Sequence, residues 1–262
     1  MKSYVEKVSG KSEFDIAIIL GSGVDIQGNI LCSINYNSIP GFPSVGIEGH
    51  EGRLDILNVG DISVLVFKGR FHYYEGRENW EIRAIPYLSS LLGCKYFFST
   101  CAVGAVSRKA ASSDFMVLRD HINFQGKNPL VGLSEFFGSQ VFVDLKNCYD
   151  KKFIEIVLNV AQEKNLNVSE GVLCAVSGPT YETSAEVKML CSFGIDVVSM
   201  STVPEVIAAK FYGMKVGAVA VIANDVFETG VTHEQVLGAV KEKNKKMGSL
   251  LLKTFMQLEN YI

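Results

Sequence analysis

Short apolar runs alternate with stretches of helical periodicity along nearly the whole chain, and this alternation constrains the fold more than any other feature. The runs occupy 14–20, 62–67, 95–99, 115–118, 172–177, 195–199 and 215–223. Several are rich in Val, Ile and Phe without an in-and-out pattern, which suits strands covered on both faces. Helical patterns fall between them. One starts at Thr183, with Glu186 closing a capping box, and stops at Gly194. Another starts at Thr202, with Pro204 in its first turn and Glu205 closing a second capping box, and stops at Gly213. The last runs from about His233 to about Leu258 and puts Val236, Val240, Met247, Leu251 and Phe255 on one stripe. This order predicts one α/β domain over 1–262, with 1–13 as a flexible N-terminal extension. The segment 124–150 is the least regular and reads as a long functional excursion.

Composition narrows the class of partner. A chain of 262 residues can bury a single large core. Its 48% hydrophobic and 20% charged residues are those of a soluble globular protein. The formal charge of −3 leaves no basic footprint for nucleic acid, so an anionic ligand needs local donors. No run approaches the roughly 18–20 residues that span a membrane, and the polar N-terminus lacks the apolar core of a signal peptide. The six cysteines, at 32, 94, 101, 148, 174 and 191, form no metal-ligand spacing. They read as reduced thiols of a cytoplasmic protein without a structural metal.

Five segments carry chemistry-capable residues. Gly21-Ser22-Gly23 follows a strand and can cradle an anion with its N–H groups, or be an ordinary turn. It is not a dinucleotide fingerprint, because Ile26 stands at the third glycine position. The loop from Gly69 to Gly76 combines Arg70, His72 and Tyr74, donors suited to phosphate and sugar hydroxyls, or a solvated aromatic loop. His50 lies in a similar upstream segment. Tyr181 and Glu182 can stack on and hydrogen-bond a heterocycle, or Glu182 can simply complement a helix dipole. Ser201 and Thr202 at a helix start can bind an anion or cap the helix. Asn224 ends a buried strand, where it can donate to a ring nitrogen or form a turn.

Taken in order, GSG, GHEGRL, GRFHYYEG, RDHINFQGKNPL, GPTYET, VSMSTVPEVIAA, an Asn-bearing strand end and THEQVL resemble the trimeric-type purine nucleoside phosphorylases, which include the methylthioadenosine phosphorylases. The resemblance runs from about residue 14 to about 258. It implies a single-domain nucleoside phosphorylase fold, with a central mixed twisted sheet flanked by helices. It implies phosphate contacts at Ser22, His50, Arg70, His72, Ser201 and the backbone N–H of Cys101. It places Tyr74 and Met200 at the ribose, His233 at its 5′-hydroxyl, and Tyr181, Glu182 and Asn224 at the purine. It makes Phe137 the aromatic lent to a neighbouring subunit of a homotrimer. Asn224, Glu182 and His72 become the catalytic groups, and inorganic phosphate is the co-substrate, with no cofactor. Where the family has an Asn-Ala-Ala-Gly-Gly-like segment after a strand, this chain reads Thr100-Cys101-Ala102-Val103-Gly104. Asn224 favours inosine and guanosine; Asp225, turned inward, would accept from a 6-amino group. Phosphorolysis of adenosine or of a 5′-methylthio-nucleoside, or nucleoside binding without turnover, are the alternatives.

Overall fold

The computed structural model describes residues 1–21, 23–45, 51–227 and 233–262, with no account of the side chains at 233–237, 239 and 260. In chain order the elements are α1 (Lys2–Ser9), β1 (Ile16–Leu20), β2 (Asn29–Asn35), β3 (Arg53–Val59), β4 (Ile62–Lys68), α2 (Asn79–Leu91), β5 (Tyr96–Ala105), α3 (Arg108–Ala111), β6 (Phe115–Asn123), α4 (Ser134–Phe137), α5 (Lys151–Glu163), β7 (Val168–Ala175), α6 (Ser184–Ser192), β8 (Val197–Ser199), α7 (Val203–Phe211), β9 (Lys215–Asp225) and α8 (His233–Leu258). The fold is α/β with a mixed sheet, as the sequence predicts. Every expected apolar run contains a strand. β1 is buried along its whole length and β4 at all but its last residue, which is why neither alternates.

The strand order is β2-β3-β4-β1-β5-β8-β7-β6-β9, and β9 also pairs with β5. That extra pairing closes the last five strands into a small barrel, with the first four spreading from it as an open wing. β4, β1, β5 and β9 run parallel to one another. β8 meets β5 antiparallel.

β5 is the pivot. β9 covers one of its edges from Tyr96 to Ala105. On the other edge β1 pairs only as far as Ser99, and β8 begins only at Gly104. Among the described residues, 100–103 therefore have no strand neighbour on that edge. Ligands in open α/β sheets bind where neighbouring strands part in this way.

Three local readings need correction. Residues 2–9 are not a flexible extension: they form α1, whose Val5 is fully buried in the main core. The segment 100–104 is not a loop after a strand, because β5 continues through it to Ala105. The capping box forms at α6, where Thr183 Oγ1 accepts from Glu186 N at 3.3 Å and Glu186 Oε2 accepts from Thr183 N at 2.7 Å. It does not form at α7. Thr202 has φ +71°, so its hydroxyl points away from the helix and makes no cap bond. Such a φ is an outlier for a β-branched residue and costs on the order of 1–3 kcal/mol.

Candidate active site

The parting on β5 gathers side chains from four directions. After β4 the chain turns at Gly69, and Arg70 folds in beneath the β5 edge, only 2% exposed. Its Nη2 donates to the Thr100 carbonyl and, at 3.4 Å, to Ser99 Oγ. Its Nη1 donates to Thr202 Oγ1 at 3.3 Å and lies 3.7 Å from Glu205 Oε1. From β1, Gly21 N donates to Thr100 Oγ1 at 2.7 Å. A Cβ on Gly21 would stand 3.0 Å from the Thr100 carbonyl oxygen, so any side chain there would press on the β5 backbone. From β8, Ser199 Oγ donates to the Ala102 carbonyl at 3.3 Å and lies 3.4 Å from the buried Ser201 Oγ. The Cys101 thiol sits among these groups and is pushed up, by burial first, with Arg70 opposing. This cluster is a donor-rich cradle of a kind that can hold an anion.

Next to it, His72 stacks on Tyr74 with ring centroids 4.6 Å apart. Glu75 Oε1 accepts from both the His72 backbone N–H (2.9 Å) and Nδ1 (2.8 Å). Burial raises the Glu75 carboxyl, but the bonds from His72 and Arg77 outweigh it and hold the group below its usual range. Tyr74 is pushed up to about 12, chiefly by burial, then by Glu75, with Arg70 opposing and Tyr181 adding to it.

The other end of the parting is set by Gly104. In register across the barrel lie Asn224 of β9, Gly104 of β5, Val198 of β8 and Cys174 of β7. A Cβ at Gly104 would lie 2.7 Å from Val226 Cγ1 and 3.7 Å from Asn224 Oδ1. The glycine therefore keeps the space beside Asn224 open. The Asn224 Nδ2 donates to the Asp225 carbonyl at 3.3 Å. Asp225 does not turn inward with both oxygens available, since its Oδ1 accepts from Phe227 N at 3.0 Å. Glu182 lies near Cys174, whose thiol rises to about 11 through burial and then this carboxylate. Glu182 itself is raised, first by burial, with its own backbone N–H opposing and Glu186 adding to it.

Between the two ends lies Met200. A Cβ on Gly178 (φ +65°) would come within 2.3 Å of Met200 Sδ, so the loop after β7 presses directly on it. Buried Gln125 donates from Nε2 to the carbonyls of Val176 (3.1 Å) and Met200 (3.2 Å), tying both loops together.

The structure thus brings Arg70, Cys101 and Ser201 to one end of the parting and His72, Tyr74 and Tyr181 beside it. Glu182 and Asn224 lie at the other end, with Met200 in the middle. Phe137 stands apart on α4, packing edge-on against Phe211 at 5.2 Å. Ser22, His50 and the side chain of His233 lie outside the described residues. Sequence reasoning missed Ser99, Thr100, Glu205, Glu75 and Gln125. Glu75 was legible as a carboxylate three residues after a histidine; the others act through tertiary placement alone.

Among the described residues no group of three or more His, Cys, Asp or Glu could hold a metal ion. No described helix is long and apolar enough to cross a membrane.

Comparison with known proteins agrees with this geometry. Residues 15–256 match the model of the phosphorylase superfamily. Purine nucleoside phosphorylase 1 of Bacillus subtilis is 38% identical over 237 residues, covering 88% of this chain and 87% of the relative. The solved isoform 2 of purine nucleoside phosphorylase from Schistosoma mansoni, in complex with cytosine and ribose-1-phosphate, superposes with a TM-score of 0.90 at 37% identity, over 98% of this chain and 94% of that one. Schistosoma purine nucleoside phosphorylase in complex with guanosine superposes with a TM-score of 0.89 at 34% identity, over 98% and 95%. The chain belongs to the phosphorylase superfamily, among its purine nucleoside phosphorylases.

Proposed function

We infer that the chain catalyses reversible phosphorolysis of purine nucleosides, releasing the free base and ribose 1-phosphate. The observation that carries this is the spacing of two ends on one strand. The anion cradle is centred on Thr100 and the Asn224 end on Gly104, four residues along β5. That is roughly 13 Å of strand, room for a phosphate, a pentose and a purine in line. Arg70 and Ser201, with Ser22 and His50 by resemblance, hold phosphate, and His72 joins them from its perch on Glu75. Cys101 offers a backbone N–H. Tyr74 and Met200 flank the ribose, and His233 reaches its 5′-hydroxyl. Tyr181 stacks on the base.

The C1′–N9 bond breaks first, passing its electron pair into the purine and leaving an oxocarbenium-like ribosyl centre. Asn224 donates to N7 and stabilises the departing anion, while Glu182 accepts from the N1–H edge and holds the base in place. A phosphate oxygen then bonds to C1′, and the proton that hydrogen phosphate gives up passes to the purine, which leaves as the neutral base. Fixed donors aimed at developing charge supply the acceleration, without a covalent enzyme nucleophile. Inorganic phosphate is a co-substrate, and no cofactor takes part.

The Oδ1 contact of Asp225 within its own turn supports a 6-oxopurine, inosine or guanosine, over adenosine. Six free cysteines support a reducing, cytoplasmic setting, and recovery of free bases fits purine salvage. Phe137 supports a homotrimer, as a partly exposed aromatic on the excursion that packs on Phe211 of its own chain. Assay of inosine, guanosine, adenosine and methylthioadenosine with and without phosphate tests the reading. Phosphate-dependent release of hypoxanthine from inosine is expected. Equal turnover without phosphate, or preference for methylthioadenosine, would overturn it.

A further inference from the structure

The α7 start holds a carboxylate that the proposed chemistry does not use. Glu205 is 3% exposed, and among the described residues neither of its oxygens has a hydrogen-bond partner. Its position in the first turn suits a capping box, yet Thr202 is turned to Arg70 and makes no cap bond to it. A buried carboxylate without hydrogen bonds is expensive unless a charge compensates it. Arg70 supplies that charge at 3.7 Å. The helix dipole also favours an acid here, but it favours a solvated one equally.

Arg70 does not need Glu205 for its orientation. The Thr100 carbonyl, Ser99 Oγ and Thr202 Oγ1 already fix the guanidinium. What Glu205 adds is charge. We propose that Glu205 is an internal counter-anion to Arg70, stabilising the guanidinium when phosphate is absent and competing with phosphate when it binds. It thereby holds phosphate affinity down, and with it the affinity for the phosphate group of ribose 1-phosphate, which favours product release. This rests on the reading of Arg70 as a phosphate ligand.

The test is titration of inorganic phosphate, by calorimetry and by thermal melting, into the wild type, Glu205→Gln, Arg70→Gln and the double variant. Glu205→Gln is expected to melt lower than the wild type without phosphate. It is expected to bind phosphate roughly ten-fold tighter and to gain more in Tm on saturation. A purely structural Glu205 would lower Tm equally with and without phosphate. Unchanged or weaker phosphate binding in Glu205→Gln overturns the inference. If Glu205→Gln does not fold, the double variant decides, because with both charges gone it should fold; its failure to fold also overturns the inference. Arg70→Gln separates the two readings. Wild-type phosphate binding in that variant sinks the assignment of Arg70 itself. Lost binding there, with unchanged binding in Glu205→Gln, sinks only the counter-anion.

Discussion

At the scale of single residues, protonation at the proposed base end is expected to control activity. Burial raises the Glu182 carboxyl, so its protonated form persists above the usual carboxylate range. A protonated Glu182 cannot accept from the purine N1–H. The acid limb of kcat/KM for inosine is therefore expected above that range, and Glu182→Gln is expected to remove it. The same shift has a stability consequence. A group whose folded pKa is raised contributes stability below its unfolded value and loses it as pH rises through the folded one. Ligand-free Glu182→Gln should thus melt no lower than the wild type at neutral pH, even while its activity falls. Asn224→Ala and Glu182→Ala are each expected to lower kcat/KM for inosine by at least ~10²-fold. Steady-state kinetics checks both, and wild-type rates in either variant would remove its assigned role.

At the scale of elements, the turn after β1, where Gly21 packs on the β5 backbone, shapes the proposed phosphate end. Gly21→Ala places a Cβ 3.0 Å from the Thr100 carbonyl and 3.2 Å from Cys101 Cα, both backbone atoms that cannot swing away. Overpacking of this kind costs about 1–3 kcal/mol. Gly21→Ala should lower Tm and raise the KM for phosphate several-fold, with nucleoside KM little changed; an unmoved phosphate KM would show that this turn does not shape the cradle. Elements were unequally legible in the sequence. The seven apolar runs announced strands because both their faces are covered. β2 and β3 gave no such signal. β2 lies at the sheet edge with only Ile34 buried. β3 is interrupted by Asp55, which is fully buried yet satisfied by Arg53 at 2.8 Å, Ser33 at 2.6 Å and Lys68 at 3.3 Å. A local pattern cannot show that a buried acid has its partners on two neighbouring strands and on its own. The site divides in the same way. Arg70 and Asn224 stand at strand ends, where sequence reasoning looks for function. Glu205 and Gln125 act through contacts 135 and 75 positions away, to Arg70 and Met200, which no spacing rule reaches. Thr202 misled because its residue type and position both suit a cap, and only its φ reveals the other use.

At the scale of the whole molecule, the excursion between β6 and α5 leaves a surface that a lone chain does not explain. Phe136 is 77% exposed and Phe142 84% exposed, with Val131 and Phe137 also facing solvent on the same excursion. Exposed aromatics grouped on one loop mark an interaction face. Arg83 Nη1 donates to the Pro129 carbonyl, and Asn79 Nδ2 donates to the Val131 carbonyl at 3.5 Å, so α2 braces the loop from below. A braced loop can present its apolar residues in a fixed pose, which lowers the entropy lost on association. If the proposed homotrimer is right, sedimentation should report three times the 28.7 kDa chain mass. Phe136→Ser with Phe142→Ser should shift the protein toward monomers. Phe137→Ala is the finer probe, because its ring packs on Phe211 in its own chain. In a trimer that lends this ring, Phe137→Ala raises nucleoside KM while phosphate KM stays within about two-fold, since only the sugar end loses a contact. A monomeric wild type with full activity would refute the lending. So would a Phe137→Ala variant whose nucleoside KM is unchanged, and it would return the ring to a packing role against α7.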